Sequence, residues 1–202
     1  MLTDAERGRV AAAIRDAESR TAGEIVVVVA ARASAYRSMP LLYSLIGGLA
    51  MPWPLIWLTE LSATRIFAIQ LVTALGLLIL LSLPQRRFAF VPPFIRRARC
   101  REAAAREFLA RGLTRTRERT GVLIYVAAAE HYAEVVADSG IADHVDEQVW
   151  RDTITELIEA IRRERAAEGL VAAVYRIGEI LAQHAPIRAA DTNELPNKVI
   201  LI

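Results

Sequence analysis

Cysteine and lysine are almost missing from this chain of 202 residues. Cys100 is the only cysteine, which excludes an internal disulfide and a zinc site built from several cysteines. Lys198 is the only lysine, so arginine supplies nearly all of the positive charge. The 25 basic residues almost balance the 23 acidic ones. A net charge of +2 gives no indication of a nucleic-acid partner, and we expect none.

Charge is also missing from two long internal stretches, residues 39–58 (MPLLYSLIGGLAMPWPLIWL) and 66–83 (IFAIQLVTALGLLILLSL). Each is close to the length of a helix that crosses the hydrocarbon core of a bilayer. The linker between them, TELSATR, is too short for a domain, so we predict a transmembrane helical hairpin over residues 38–85. A buried hairpin in a soluble protein is the alternative. Neither stretch holds an Asp, Glu, His, Lys or Arg side chain, which argues against ion conduction, and Gln70 is more typical of a hydrogen bond between helices.

Arginines are distributed unevenly around this hairpin. The linker holds Arg65 alone, whereas Arg32 and Arg37 precede the hairpin and a cluster of six arginines follows it: Arg86, Arg87, Arg96, Arg97, Arg99 and Arg101. The positive-inside rule therefore predicts that both termini and the soluble part face the cytoplasm. The lipid bilayer is then one partner of the protein.

Aromatic and basic side chains mark the expected membrane interface. Trp53 and Trp57 lie near the end of the first stretch, where an aromatic belt is expected. Residues 86–99 alternate aromatic and basic side chains and predict an interfacial collar in which Arg86, Arg87, Arg96 and Arg97 reach lipid phosphates. A solvated helix face explains Arg99 and Arg101 equally well. Acylation of Cys100 near the bilayer is a minor alternative to a free thiol.

The remaining sequence predicts one small α/β domain assembled from both sides of the hairpin. Residues 1–37 contain a helix that begins with a capping box at Thr3 and a strand, Gly23–Ala30, whose continuous apolar run is typical of burial on both faces. Residues 100–185 contain the rest of the domain. A helix begins near residue 99 and places Ala103, Ala104, Phe108 and Leu109 inward, and it is followed by the strands Gly121–Ala128 and Tyr132–Ala137. Two further helices are predicted over residues 145–167 and 170–184, separated by Gly169. The fold class is a small sheet sandwiched by helices and interrupted by the transmembrane hairpin.

The segments TAGEIVVVVA and AREFLARGLTRTRERTGVLIYVAAAEHYAEVVADSGI resemble the TPM domain family, named for thylakoid acid phosphatase, photosystem repair and acetylcholine-receptor modulator proteins. NELPNKVILI at the end is similar to the tail of membrane-anchored bacterial members. The resemblance implies an α/β sandwich, a membrane-proximal role, and phosphatase activity or divalent-ion binding. Two departures from the family pattern weaken the last two expectations: TRERTG at residues 116–121 and the single glycine of ADSGI. Many members also present the domain outside the cytoplasm.

Residues 138–148 (DSGIADHVDEQ) hold the best candidate site. Asp138, Asp143 and Asp146 could supply oxygen ligands to Ca²⁺ or Mg²⁺, and Asp138 and Asp143 are the catalytic candidates of a phosphatase. Arg115, Arg117 and Arg119 are candidates for binding phosphate. Helix capping by Asp143, with Asp146 and Glu147 near the positive helix end, is the simpler explanation of the acidic residues.

Two functions remain open. The first is an inner-membrane protein whose cytoplasmic TPM-like domain scaffolds or regulates a membrane-protein partner. We prefer this function, in which the protein is not an enzyme. The second is a metal-dependent phosphatase acting on phosphomonoesters. Residues 186–202 form an extended tail that either adds as a strand to a partner or folds back on its own domain.

Overall fold

The structure, a computed structural model, describes residues 2–36, 38–83, 91–187 and 195–202. The chain divides into two compact units, Met1–Ser34 with Arg97–Ile202, and Ala35–Arg96. The elements in chain order are α1 (Asp4–Glu18), β1 (Glu24–Ala30), α2 (Ser38–Ala50), α3 (Pro52–Leu58), α4 (Ala63–Ser82), α5 (Pro93–Ala110), β2 (Gly121–Ala127), β3 (Tyr132–Ala137), α6 (Ser139–Ala142), α7 (Glu147–Arg162), α8 (Ala166–His184) and β4 (Val199–Leu201). A short 3₁₀ turn, Leu113–Arg115, precedes β2.

The strands of the first unit form one sheet with the order β3-β2-β1-β4 across the described residues. β1 is parallel to β2 over its whole length, from the pair Glu24 and Gly121 to the pair Ala30 and Ala127. β3 returns antiparallel to β2, and β4 lies parallel to β1 on its other side. Segments on either side of the hairpin therefore share one sheet. The predicted α/β fold class is confirmed.

Helices cover both faces of this sheet. Val27 on one face packs in a core with residues of α1, α7 and α8, and Val28 on the opposite face packs in a second core with residues of α5. Both valines are fully buried. Burial of one valine side chain stabilises the fold by about 1.5–3 kcal/mol, so β1 alone contributes substantially. Burial on both faces explains why its sequence, EIVVVVA, lacks polar alternation.

The boundary between α7 and α8 differs from the predicted one. α7 ends at Arg162, and Glu164 between the helices has a positive φ of 61°. Gly169, which we expected to separate the helices, lies inside α8 and is buried. A Cβ atom on Gly169 would lie 2.5 Å from the Cβ of Ala160. Glycine is present here because the two helices pack closely, and not because one helix ends.

α5 begins earlier than expected, at Pro93, so residues 93–99 of the predicted collar belong to a helix that continues into the first unit's core. Proline at the first helical position needs no amide hydrogen bond, which makes it a start signal here. Leu109, predicted to face inward, is 65% exposed. Arg96 and Arg97 lie in the first turns of α5, whereas Arg86 and Arg87 lie outside the described residues.

The second unit contains a helical hairpin. Ser38–Leu58, with a local break at Met51 before Pro52, and Ala63–Ser82 are long and apolar enough to cross a membrane by length and composition. α2 and α4 pack through small residues, since a Cβ atom on Gly48 would lie 2.9 Å from the Cβ of Ala74. Most of the unit's large apolar side chains are exposed, including Trp53 (69%) and Trp57 (81%). Length, composition and exposure are the properties that a bilayer-spanning hairpin requires.

Candidate functional site

Asp138 and Arg119 form an ion pair at the end of the sheet where β2 begins and β3 ends. Arg119 Nη2 lies 3.1 Å from Asp138 Oδ1, and the Asp138 side chain is only 5% exposed. The same carboxylate oxygen accepts a 2.7 Å hydrogen bond from the Ser139 amide and caps α6. Both roles hold the chain in position. Asp138 is therefore engaged in structure, and its role as a catalytic candidate stays a prediction.

The three candidate phosphate-binding arginines share one turn but have different surroundings. Arg115 is exposed and ends the 3₁₀ turn, and Arg117 is exposed beyond it. Arg119 has a positive φ of 57° and extends towards Asp138. Thr116 stabilises the turn by accepting a 3.2 Å hydrogen bond from the Thr120 amide. Arg115 and Arg117 are thus exposed in the turn, and Arg119 is paired with the carboxylate of Asp138.

The other two acidic candidates also lie at helix ends. Asp143 is the C-terminal cap of α6, and Asp146 is the N-terminal cap of α7, where it accepts a 2.7 Å hydrogen bond from the Gln148 amide. The residue that caps α7 is therefore Asp146 and not, as expected, Asp143. Within residues 2–36, 38–83, 91–187 and 195–202, no group of three or more histidine, cysteine or acidic side chains could hold a metal ion. The calcium or magnesium site stays a prediction.

Two histidines from distant parts of the sequence lie close together in the structure. His144 follows α6, His184 ends α8, and their ring centres lie 6.3 Å apart with planes tilted by 40°. Both side chains are exposed. His131, the third histidine of the chain, lies in the turn between β2 and β3. His144 and His184 are 40 positions apart in the sequence and meet only through packing, so no local motif could have indicated the pair.

Glu18 is a second feature that the sequence did not indicate. Its Oε1 accepts a 2.8 Å hydrogen bond from the Ile25 amide, and its Oε2 accepts one from the side chain of Asn197, near the end of the chain. Burial, with the nearby Glu24 carboxyl adding repulsion, raises the pKa of Glu18 to about 8. The carboxyl therefore joins α1, β1 and the C-terminal segment in a predominantly protonated state at neutral pH.

The C-terminal segment folds back on its own domain. β4 pairs with Val27–Val29 of β1, and the Ile202 amide donates a 3.1 Å hydrogen bond to the Val29 carbonyl. Of the two alternatives for the tail, the structure shows this one for residues 199–202. The edge of β1 is occupied, and a partner strand could bind there only by displacing β4.

Comparison with known proteins gives a match to a domain family and a fold. Residues 84–180 match the family model of the TPM domain. The chain also matches the NMR structure of the BA42 protein from the psychrophilic bacterium Bizionia argentinensis, with a TM-score of 0.63 and 22% identity over 100% of this chain and 96% of that one. At this identity, the likeness to BA42 shows the fold alone. No curated protein matches the chain.

Proposed function

Because the chain carries a TPM domain, we propose that it is a two-span protein of the bacterial inner membrane whose cytoplasmic TPM domain scaffolds or regulates a membrane-protein partner. The observation that carries this proposal is the exposed apolar surface of the hairpin. Leu58 is 82% exposed and Phe67 is 64% exposed, and similar side chains follow the length of α2 and α4. In water such a surface would drive aggregation, whereas in lipid it is the expected outer surface of a membrane helix.

Membrane insertion is tested with Leu75→Arg, a substitution in the middle of α4 at a side chain that is 51% exposed. An arginine at the centre of a spanning helix costs about 2.5–3.5 kcal/mol of insertion free energy, so we expect the variant to be lost from carbonate-washed membranes. Leu75→Ile is the matched control and should remain in the membrane fraction. Release of the unmodified protein by carbonate would contradict insertion.

The arginine distribution supports the cytoplasmic orientation. Arg65 alone follows the first span, whereas Arg97, Arg99 and Arg101 lie exposed on α5 after the second one. Cys100 is fully buried and cannot report on topology. The test therefore places single cysteines at the exposed positions Glu60 and Glu179 in a Cys100→Ala background.

An impermeant maleimide is then added to intact cells. Glu60→Cys, in the linker between the spans, should be labelled from outside, and Glu179→Cys, on α8, should be labelled only after lysis. The opposite pattern would place the TPM domain outside the cytoplasm.

A partner-binding role is supported by the surroundings of the candidate catalytic groups. Asp138 is engaged by Arg119 and by the cap of α6, while Arg115 in the adjacent turn is exposed. Together with β3, which is an edge strand of the sheet in the described part of the chain, this turn is the surface that we assign to the membrane partner. A photoreactive residue at position 115 should give one discrete cross-link in native membranes, and one at Glu179 should not. Failure to cross-link from both the turn and Tyr132 on β3 would overturn the proposal.

Phosphatase activity is the alternative, and it makes a different prediction. The detergent-purified protein would release phosphate from a phosphomonoester in the presence of Mg²⁺, Ca²⁺ or Mn²⁺. Activity that disappears in Asp143→Asn, at an exposed residue outside the Arg119 ion pair, would favour catalysis over scaffolding. Persistence of activity in that variant would remove Asp143 from the candidates.

A further inference from the structure

His144 and His184 occupy the same small area of surface although they belong to different helical segments. The chain contains 3 histidines, and the fold brings two of them to a ring-centre distance of 6.3 Å. We propose that this pair binds a borderline divalent transition-metal ion of the Zn²⁺, Ni²⁺ or Cu²⁺ class. The proposal is independent of the scaffolding function and of the orientation in the membrane.

The distance between the rings suits two ligands of one ion. A zinc ion holds an imidazole nitrogen at about 2.0–2.1 Å, which places the centres of two coordinating rings about 5–6 Å apart. The observed 6.3 Å needs only a small rotation of one exposed side chain. The ring planes are tilted by 40°, so the rings are not stacked face to face in a way that would hold them together without an ion. Exposure of both rings leaves room for the water ligands that complete the coordination.

Both backbone positions are held by hydrogen bonds. The His144 amide donates to the Ile141 carbonyl at 3.0 Å, and the α6 turn that contains Ile141 is capped by Asp138. Ala185, next to His184, accepts a 2.6 Å hydrogen bond from the buried hydroxyl of Thr21. The two imidazoles therefore start from fixed points. Because the backbone positions are fixed, only the side-chain torsions of the two histidines need to be ordered when the ion binds.

The partial negative charge at the C-terminal end of α8 also favours a bound cation. His184 is the last residue of a helix of 19 residues, where the carbonyl groups give a partial negative charge. This is the opposite of a helix start, which attracts anions. The dipole effect adds to coordination and is too small to bind an ion by itself.

The ligand type predicts the choice of metal. Imidazole suits Zn²⁺, Cu²⁺ and Ni²⁺, whereas Ca²⁺ and Mg²⁺ bind through several oxygens. The described residues offer no group of three metal-binding side chains, so this site has two protein ligands and an ion that exchanges with solvent. It should therefore bind more weakly than a closed structural zinc site, which has four protein ligands.

The test is isothermal titration of the untagged, full-length protein in detergent with NiCl₂ and with ZnCl₂. We expect one saturable site. His144→Gln and His184→Gln should each weaken binding at least tenfold, whereas His131→Gln, the matched control in the β2–β3 turn, should leave the affinity within about twofold. CaCl₂ and MgCl₂ should give no heat of binding at this site.

A second variant separates ligand loss from misfolding. His144→Cys replaces the imidazole with a thiolate ligand and should keep Zn²⁺ binding, because zinc accepts both ligand types. Thermal unfolding should show an increase in Tm with NiCl₂ for the unmodified protein and none for His184→Gln, with equal Tm values in EDTA. Absence of binding to the unmodified protein, or equal binding by the His144→Gln and His131→Gln variants, would overturn the proposal.

Discussion

Replacement of Glu18 by glutamine should remove much of the pH dependence of stability between about pH 5 and pH 8. Glu18 is a carboxyl whose pKa is raised, mainly by burial, from 4.5 to about 8. The folded protein therefore keeps a proton that the unfolded chain releases at a much lower pH. The stability from this group is fully present below pH 4.5 and is lost as the pH rises through 8.

The size of the effect follows from the shift. At about 1.4 kcal/mol for each pH unit, the change from 4.5 to about 8 sets an upper limit of about 5 kcal/mol. Solvent reaches part of the Glu18 side chain and screens its charge, so we expect about 1–3 kcal/mol. For a domain of this size, the corresponding loss of Tm is about 3–10 °C between pH 5 and pH 9.

The assay is thermal unfolding of the full-length protein in detergent, followed by circular dichroism across this pH range. Glu18→Gln keeps the hydrogen bond from the Ile25 amide, and the Asn197 amide can rotate to accept from the new side chain. Its Tm should therefore vary little with pH. Glu179→Gln, at an exposed position on α8, is the control and should follow the unmodified protein. Parallel curves for Glu18→Gln and the unmodified protein would refute the burial argument.

Three other stability changes test the packing. Gly140→Ala should destabilise the folded protein by about 2–3 kcal/mol in chemical denaturation, because the new Cβ would press against the backbone carbonyl oxygens of Glu118 and Arg119. The control Gly8→Ala, in open space on α1, should be neutral or stabilising in the same assay. Thr3→Ala removes the capping box and should cost about 1 kcal/mol in the same assay, and an unchanged midpoint would contradict that role. Truncation after Lys198 removes β4 and should cost about 2–4 kcal/mol and promote aggregation, measured by light scattering; a monodisperse, equally stable product would show that β4 contributes little.

Local patterns were sufficient to predict most elements of the fold. The capping box at Thr3 marks the start of α1, and the apolar run of β1 indicates burial on both faces. The boundary between α7 and α8 was harder to predict, because glycine occurs both at helix ends and where two helices pack closely. The sequence pattern around Gly169 predicts a helix end, whereas the close contact with Ala160 requires glycine at this position inside α8. Packing distance between helices is a tertiary property, and it leaves no signature in the local sequence.

The candidate site likewise contains features that local sequence patterns predict and contacts that depend on tertiary packing. The acidic residues indicate the loop at residues 138–148, and the structure places Asp138 and Asp146 at helix starts, whereas Asp143 was the expected cap. The Arg119–Asp138 pair spans 19 residues, and the His144–His184 pair spans 40. Glu18 and Asn197 are 179 residues apart. Each of these contacts depends on how distant segments pack, so periodicity and spacing could not predict it.

The division of one sheet by a hairpin has a small energetic cost. Parallel neighbours such as β1 and β2 always need a crossover connection, and here that connection contains the hairpin and α5. Because closure entropy grows with the logarithm of loop length, a tenfold longer connection costs only about 2 kcal/mol. Burial of a single valine such as Val27 offsets an amount of this order, and β1 contributes four consecutive valines. The seven-residue register between β1 and β2 therefore determines the sheet, and an insertion of this length at the end of β1 is compatible with a stable domain.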